Sequence, residues 1–180
     1  MHYQAKLLVP FGVLGIRSEG VTLCGIDFLP PGTPTQRESD AFVGQVCAQL
    51  LRYVNDCEGK FTFQMRLVGT LHQRRVWQAI AAIACGETRS YGELAGELHS
   101  SAQAVGQACG ANPLPIVIPC HRVVSQSGLG GFMKQGGGAA LDIKRWLLKH
   151  ESRQAKRTGV PGDCPSAPLH PDFFHAEGEK

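Results

Sequence analysis

A cysteine stands directly before a histidine in the second half of the chain, at Cys120 and His121. A thiolate is a nucleophile, and a neighbouring imidazole can make it accessible near neutral pH, where a free cysteine with a pKa of about 8.5 is mostly protonated. The β-branched run at residues 116–118 ends at Pro119, which predicts a buried strand that stops there. Adjacent side chains on a strand point to opposite faces, so the pair can cooperate only if the chain bends or a water joins them. Taken alone, such a pair is more often structural than catalytic.

The surroundings of the pair make the signal specific. Residues 118–124, Ile-Pro-Cys-His-Arg-Val-Val, resemble the active-site motif of the O6-alkylguanine-DNA alkyltransferases, also called methylated-DNA-protein-cysteine methyltransferases. The resemblance is close over residues 69–151 and loose before them. It implies repair of alkylated DNA by one irreversible transfer of an alkyl group from guanine O6, and also from thymine O4, to Cys120. It implies neither a metal nor an organic cofactor.

The resemblance also implies roles for the residues around the thiol. Glu151 orients His121, and His121 acts through a water to remove the proton of Cys120. Tyr91 matches the family's phenolic donor to the leaving guanine, and Asn112 matches the residue that braces the active-site turn. Three of these residues also have an ordinary structural explanation. Tyr91 would then be a core aromatic, Asn112 a turn residue before a proline, and Glu151 a solvated helix end.

Two short predicted helices point to DNA. Ser90 and Glu93 have capping-box spacing, and Ser100 and Gln103 repeat it, which predicts two helices joined by a tight turn. The second helix is built of small uncharged residues, and the resemblance implies that it enters the minor groove while the damaged base is flipped out. Alternatively, the small residues simply pack against a neighbouring helix. The DNA contacts expected are Ser101, Gln103, Ala104, Gly106, Gln107 and Arg122.

Two positions depart from the family pattern. Gln103 stands where the family usually has an arginine that fills the gap left by the flipped base, so we expect weaker duplex binding than in relatives with arginine. The glycine-rich segment at residues 131–138 is longer than the family's loop, which leaves the range of alkyl groups open. The substrate pocket is expected at Pro115, Gly131, Phe132 and Met133.

Hydrophobic periodicity predicts an α+β fold in two domains. Residues 1–68 are predicted to be a support domain with a small sheet and a helix, and residues 69–153 a helical domain with a helix-turn-helix. The family resemblance implies that the first domain is ribonuclease-H-like and that the second is a DNA-binding and alkyl-acceptor domain with a winged helix-turn-helix. Residues 154–180 are predicted to be a flexible tail. The predicted elements are strands at 3–9, 13–18 and 21–28, a helix at 38–55, a strand or extended connector at 61–68, helices at 73–84, 90–98 and 100–109, and a closing helix at 139–150.

Charge and cysteine content limit the possible binding partners and the cellular compartment. The net charge is +3, but residues 69–157 hold eleven basic and five acidic side chains, which suits a polyanion such as DNA. No apolar run is long enough for a membrane span. The seven cysteines are odd in number and contain no C-x-x-C pair, which favours reduced thiols in an intracellular compartment and no zinc site. We expect a monomer in the cytoplasm, or in the nucleus if the cell has one.

Three alternatives remain. A non-catalytic alkyltransferase-like protein would bind lesions without repairing them, but such proteins lack the acceptor cysteine. A winged-helix regulator would bind one undamaged sequence and merely bury Cys120. A cysteine hydrolase fits less well, because those enzymes bring together cysteine and histidine from separate parts of the chain.

Overall fold

The computed structural model describes residues 2–57, 60–133 and 138–158, with residues 154–158 described through their backbone alone. The fold is mixed α+β, as predicted. No helix in these ranges has both the length and the apolar character to cross a bilayer. In chain order the elements are β1 (Ala5–Val9), β2 (Gly12–Glu19), β3 (Thr22–Leu29), α1 (Ala41–Asp56), α2 (Leu71–Ala81), β4 (Arg89–Ser90), α3 (Tyr91–Glu97), α4 (Ala102–Gly110), a 3-10 helix (Cys120–Arg122), β5 (Val123–Val124) and α5 (Ala139–Thr158).

The first half is an antiparallel sheet in the order β1-β2-β3, covered by α1. The three predicted strands are confirmed, with ends shifted by at most two residues. Asp40 caps α1 by accepting a hydrogen bond from the amide of Val43, so the helix begins slightly later than predicted. Its buried side chains pack over the sheet because they recur at helical spacing, at Val43, Val46, Cys47, Leu50, Tyr53 and Val54.

The segment at residues 61–68 is an extended connector, one of the two predicted possibilities. Met65 forms a single bridge with Leu23 of β3, and alternate side chains are buried from Phe61 to Leu67. This alternation has the period of a strand, because extended backbone turns successive side chains to opposite sides. The connector therefore runs alongside β3 at Leu23 and leads the chain into the second half.

Helix α2 begins with a complete capping box, in which Thr70 accepts from the amide of Gln73 and the Gln73 side chain accepts from the amide of Thr70. The indole of Trp77 donates to the carbonyl of Ala108, which ties α2 to α4. Gly69 allows this packing, since a Cβ there would lie 2.6 Å from the Trp77 ring. The core of the second half is thus built around α2.

Helices α3 and α4 follow each other closely. The predicted capping box of α3 at Ser90 and Glu93 is confirmed. The predicted cap of α4 is wrong by one residue, because Ser101 caps it by accepting from the amide of Ala104. The amide of Ser100 donates instead to the carbonyl of Ala95, at the end of α3. Gln103 is therefore not a capping residue.

Helix α5 continues eight residues past the predicted end, from 150 to 158, so the predicted tail boundary at residue 154 falls within the helix. The prediction failed because apolar periodicity stops near His150, whereas Arg, Gln, Ala and Lys in the following stretch favour a helix by intrinsic propensity. The rest of the predicted tail, residues 159–180, lies outside the described residues.

Candidate active site

The predicted strand at residues 116–118 is a buried turn. The amide of Ile118 donates to the carbonyl of Leu114 over 2.9 Å, and Ile116 has a φ of 76°, which is rare for a β-branched residue. Prolines at 113, 115 and 119 interrupt any hydrogen-bonded ladder. The prediction failed because a buried turn and a buried strand give the same unbroken apolar run.

Asn112 holds this turn together. Its Nδ2 donates to the carbonyl of Ile118 over 2.8 Å, and its Oδ1 accepts from the amide of Leu114 over 3.0 Å. One side chain thus bridges the two ends of the turn that leads into Cys120. The two hydrogen bonds fix the backbone at both ends of the turn.

Cys120 and His121 lie on the 3-10 helix that starts directly after Pro119. The chain therefore bends here, as cooperation of the two residues requires. His121 Nε2 lies 2.8 Å from Oε1 of Glu151. Since a carboxylate only accepts hydrogen bonds, Nε2 is the donor and Nδ1 keeps its lone pair. Nδ1 is buried and has no hydrogen-bond partner in the described part of the chain.

Glu151 is the centre of a buried network. Arg122 donates to both carboxylate oxygens, each over 2.9 Å, and its Nη1 donates to the carbonyl of Ile83 over 2.5 Å. The Tyr53 hydroxyl donates to Oε1 over 2.7 Å. The network joins α1, the 3-10 helix and α5, so it ties both halves of the chain together.

Arg122, predicted as a DNA contact, has its side chain buried in this network rather than on the surface. Its side chain is only 1% exposed, and its guanidinium is occupied by Glu151. A buried carboxylate needs a paired cation, and a bidentate arginine satisfies it best. The burial of Arg122 was not predicted, because arginine side chains are normally exposed to solvent.

The charges of the network follow from burial and pairing. Burial alone would raise the pKa of Glu151, but His121 and Arg122 more than offset this and hold that pKa far below its usual range. Burial lowers the pKa of His121, although Glu151 opposes the shift. The site therefore contains an ionised carboxylate and a neutral imidazole, and the latter can accept a proton.

Cys120 is 5% exposed, and burial raises the pKa of its thiol. The hydrogen bond of Asn112 and the charge of Lys144 oppose this shift by favouring the thiolate. The nucleophile therefore depends on its neighbours for activation.

Lys144 is a buried site residue that the sequence reasoning missed. Its Nζ donates to the carbonyls of Val123, Leu129 and Gly131, over 2.6, 2.6 and 3.0 Å. Burial lowers the pKa of Lys144 to about 8, while ionised Cys120 opposes that shift. Helical spacing could have found it, because Lys144 lies on the same face of α5 as buried Leu147 and Glu151.

Tyr91 and the loop after β5 form one wall of the site. The Tyr91 hydroxyl donates to the carbonyl of Gly131 over 3.1 Å, and burial raises the pKa of Tyr91, so the phenol keeps its proton. Gly130 has a φ of 67°, and a Cβ there would lie 2.8 Å from the Tyr91 ring. Glycine is thus required where the loop passes the phenol.

The predicted pocket residues lie in different environments. Phe132 is buried, with its ring centroid 5.8 Å from that of Phe28 in β3, so it packs into the core between the two halves. Pro115 is also buried, Met133 is partly buried, and Gly131 is exposed. Residues 134–137 of the expected loop lie outside the described residues.

The predicted DNA contacts on α4 share one side of the helix. Ser101, Gln103 and Gln107 are exposed, Ala104 and Gly106 are partly exposed, and Val105 and Ala108 face the core. Small residues therefore line an open face, while the other face packs against α2.

Known proteins resemble this chain over most of its length. A methylated-DNA--protein-cysteine methyltransferase from Mycobacterium bovis is 39% identical over 163 residues, which cover 86% of this chain and 94% of the relative. This chain belongs to the methylated-DNA–protein-cysteine methyltransferase family. The family described as 6-O-methylguanine DNA methyltransferase, DNA binding domain, matches residues 71–153.

Solved structures of the family agree. The Mycobacterium tuberculosis O6-methylguanine methyltransferase has a TM-score of 0.68 and 35% identity, over 83% of this chain and 92% of that one. The same organism's OGT in complex with DNA has a TM-score of 0.69 at the same identity and the same coverage of both chains. The methyltransferase family fold is thus present in this chain.

Within that fold, the predicted residues divide into two groups. His121, which follows Cys120, contacts Glu151; Asn112 bridges the turn before Cys120; and Tyr91 contacts the loop at Gly131. Arg122 belongs to the buried network rather than to the exposed face of α4. Tyr53 and Lys144 join the site without having been predicted.

Proposed function

We propose that this protein repairs DNA as a methylated-DNA–protein-cysteine methyltransferase, moving an alkyl group from O6 of guanine to Cys120. The observation that carries the proposal is the position of His121. Its Nε2 is fixed by Glu151, and its buried Nδ1 keeps a lone pair on the helical turn that carries the thiol. This is the arrangement of an activated nucleophile, in which a base is oriented by a third group.

The transfer is a single displacement. His121 Nδ1 takes the thiol proton through a water, and the sulfur attacks the alkyl carbon. The carbon–oxygen bond breaks, its electron pair stays on the guanine, and a thioether forms on Cys120. The leaving guanine takes up a proton, and the Tyr91 phenol donates a hydrogen bond to it. A thioether is not reversed by ordinary cellular nucleophiles, so each molecule acts once.

The buried charges of Glu151 and Lys144 stabilise the opposite charges that form during the transfer. While His121 holds the proton it is an imidazolium, which the Glu151 carboxylate stabilises over 2.8 Å. The Lys144 ammonium favours the thiolate of Cys120. Both groups are already held by hydrogen bonds in the resting protein, so little reorganisation is needed as the reaction proceeds.

We propose alkylated DNA as the partner of this chain, since the related M. tuberculosis protein has been solved in complex with DNA. Helices α3 and α4 would act as a winged helix-turn-helix, with α4 in the minor groove and the damaged base flipped toward the thiol. The open small-residue face of α4 supports close approach to a narrow groove. The burial of Cys120 supports base flipping, because a stacked base could not reach that sulfur.

The finer organisation is also a proposal. We assign residues 1–68 to a ribonuclease-H-like support domain and residues 69–153 to the DNA-binding and acceptor domain, and the family match at 71–153 supports that division. We expect a monomer in the cytoplasm, or in the nucleus of a eukaryote, with O4-alkylthymine as a second substrate. Because Tyr53 donates to Glu151, the first domain also supports the reaction.

The test is incubation of the full chain with an oligonucleotide that contains O6-methylguanine, followed by peptide mass analysis. One methyl group per molecule is expected on the peptide with Cys120. Cys120→Ala should lose it and still bind the oligonucleotide, whereas Cys24→Ala, at a thiol in β3, should keep it. Lesion binding without methyl gain by the unmodified chain would favour the non-catalytic alternative. Preference for one undamaged sequence would favour a regulator.

A further inference from the structure

Helix α5 contacts the rest of the chain through two adjoining faces. The face with Lys144 and Glu151 contacts the 3-10 helix and the loop after β5. Trp146 and His150, four residues apart, share the other face, and their rings stack with centroids 4.8 Å apart. This second face contacts the N-terminal half, because the ring centroid of Phe11 lies 4.7 Å from that of Trp146. The proposed reaction uses groups of the first face alone.

His150, on the second face, binds the backbone of Tyr53. Its Nε2 lies 2.8 Å from the carbonyl oxygen of Tyr53, and since a carbonyl only accepts hydrogen bonds, Nε2 is the donor. The two rings also meet edge to face, with centroids 5.8 Å apart. The Tyr53 hydroxyl donates to Oε1 of Glu151 over 2.7 Å. Two consecutive residues of α5 therefore hold Tyr53, one at its backbone and one at its hydroxyl.

The bonded carbonyl belongs to the last turn of α1, which ends at Asp56. Carbonyls in the last turn of a helix carry a partial negative charge and attract donors such as histidine. The Tyr53 carbonyl also accepts from the amide of Cys57 over 2.8 Å, so it already has a backbone donor. His150 is therefore not needed to satisfy this carbonyl, and the effect of its hydrogen bond is to fix the end of α1 against α5.

The position of Tyr53 matters because one oxygen of Glu151 serves three donors. Oε1 accepts from the Tyr53 hydroxyl, from Nε2 of His121 and from Arg122. Burial lowers the pKa of His121, Glu151 raises it, and the charges of Arg122 and Lys144 lower it. The hydroxyl offsets part of the carboxylate charge, so its loss would raise the pKa of His121. Its loss would also leave the carboxylate, and with it the imidazole, less firmly oriented.

We propose that His150 is a positioning residue for the base: it holds the last turn of α1 against α5, which keeps the Tyr53 hydroxyl on the carboxylate that orients His121. The competing explanation is that His150 only adds to the contact between the two halves, as Phe11 does through Trp146. The two explanations differ because a positioning residue acts through Tyr53 and a purely structural one does not. The effect on the transfer rate rests on the proposed function, whereas the effect on His121 does not.

The first experiment measures single-turnover methyl transfer from an O6-methylguanine oligonucleotide to the full chain. His150→Leu removes the donor and should slow the transfer about threefold to tenfold, as Tyr53→Phe does. The double variant should be no slower than Tyr53→Phe, because the hydroxyl through which His150 acts is already gone. Independent effects would multiply to about tenfold to a hundredfold in the double variant, and that result would overturn the proposal.

Two further variants separate the hydrogen bond from the interface. His150→Gln places an amide donor near the position of Nε2 and should restore a rate close to that of the natural chain. Phe11→Leu is the matched control, since it removes a ring contact of Trp146 in the same interface and leaves the hydrogen bond of His150 in place. It should lower the thermal midpoint and keep the transfer rate. The proposal is wrong if His150→Gln is as slow as His150→Leu, or if Phe11→Leu slows transfer equally.

A second experiment needs no DNA and follows the titration of His121 by NMR. His150→Leu and Tyr53→Phe should raise the pKa of His121 by similar amounts, whereas Phe11→Leu should leave it unchanged. If the natural chain gains no methyl group but both variants raise that pKa, the proposed function fails and the positioning of His121 stands. If the natural chain gains the methyl group and His150→Leu changes neither the pKa nor the rate, the positioning role fails and the proposed function stands.

Discussion

The hydroxyl of Tyr53 donates a 2.7 Å hydrogen bond to Glu151, 98 residues further along the chain. Tyr53 lies on the helix that covers the N-terminal sheet, whereas Glu151 lies on the closing helix and holds His121. The same hydroxyl is 3.5 Å from His121 Nε2. The N-terminal half of the chain thus contributes directly to the electrostatics of the proposed base.

Tyr53→Phe should slow methyl transfer about threefold to tenfold and lower the free energy of unfolding by about 1–2 kcal/mol, because a buried carboxylate loses one donor. Single-turnover rates and urea unfolding measure the two effects. Tyr3→Phe is a matched control, since it also removes a phenol near a carboxylate, that of Asp27 in β3. It should leave the transfer rate unchanged. An unaltered rate in Tyr53→Phe would contradict a role for the N-terminal helix.

Lys144→Met should shift the pH profile of methyl transfer upward and slow the reaction about tenfold at neutral pH. The ammonium favours the thiolate, so its loss raises the pKa of Cys120 and a higher pH is needed to ionise the sulfur. The measurement is the single-turnover rate between pH 6 and 9, and the control is Lys149→Met, at an exposed position of the same helix. Identical profiles for the two variants would exclude the electrostatic role.

Asn112→Ala should lower the free energy of unfolding by about 2–4 kcal/mol and reduce the transfer rate, because it strands the carbonyl of Ile118 and the amide of Leu114. Asn112→Asp keeps the acceptor for Leu114 and should have an intermediate effect. Urea unfolding and single-turnover kinetics provide the readouts. Asn55→Ala, on the exposed side of α1, is the control. Equal effects of the Ala and Asp substitutions would contradict separate roles for the two amide atoms.

Gln103→Arg should strengthen binding to duplex DNA, since Gln103 is exposed on α4 and an arginine there can neutralise a phosphate. The slope of log affinity against log salt concentration should become steeper by about one, because one more counterion is released. Affinity measured at several salt concentrations and the repair rate test this. Gln45→Arg, which adds the same charge at an exposed position of α1, controls for net charge. Unchanged affinity and rate in Gln103→Arg would refute the expectation of weaker duplex binding by the natural residue.

Stability should fall as the pH decreases from about 7 to 5. Burial lowers the pKa of His121 in the folded state, so the unfolded chain, with a histidine pKa of about 6.5, binds protons more readily in this range. The stability that neutral His121 contributes is fully present above the histidine pKa of the unfolded chain, and it is lost as the pH falls through the pKa of His121 in the folded protein. His121→Gln should flatten the pH dependence of urea unfolding, whereas His99→Gln, at an exposed turn, should preserve it. If His121→Gln left the pH dependence of the free energy of unfolding unchanged, that dependence would have to come from other titratable groups.

Local signals predicted the helices and strands best. Thr70 and Ser90 mark helix starts because a hydroxyl and a glutamine or glutamate three residues later satisfy the first amides. The turn at residues 114–118 could not be predicted in this way, because burial and a left-handed Ile116 are imposed by tertiary packing. The sequence therefore located the nucleophile but not the shape of the backbone before it.

The site was predictable where a motif carried it. Cys120, His121 and Glu151 were found through the family resemblance, and the structure places His121 and Glu151 in hydrogen-bond contact. Arg122 and Lys144 were missed as buried cations, since long charged side chains are normally solvated. Their burial depends on a distant carboxylate and on loop carbonyls, and a single sequence does not reveal such partners.

Helix α5 supplies Glu151 well after the segment that carries the thiol. During synthesis, a chain that has emerged from the ribosome only as far as Arg122 has its cysteine and histidine but lacks the carboxylate that anchors the imidazole. We therefore expect the base that activates the thiol to be assembled only after translation has passed Glu151 and α5 can contact the 3-10 helix.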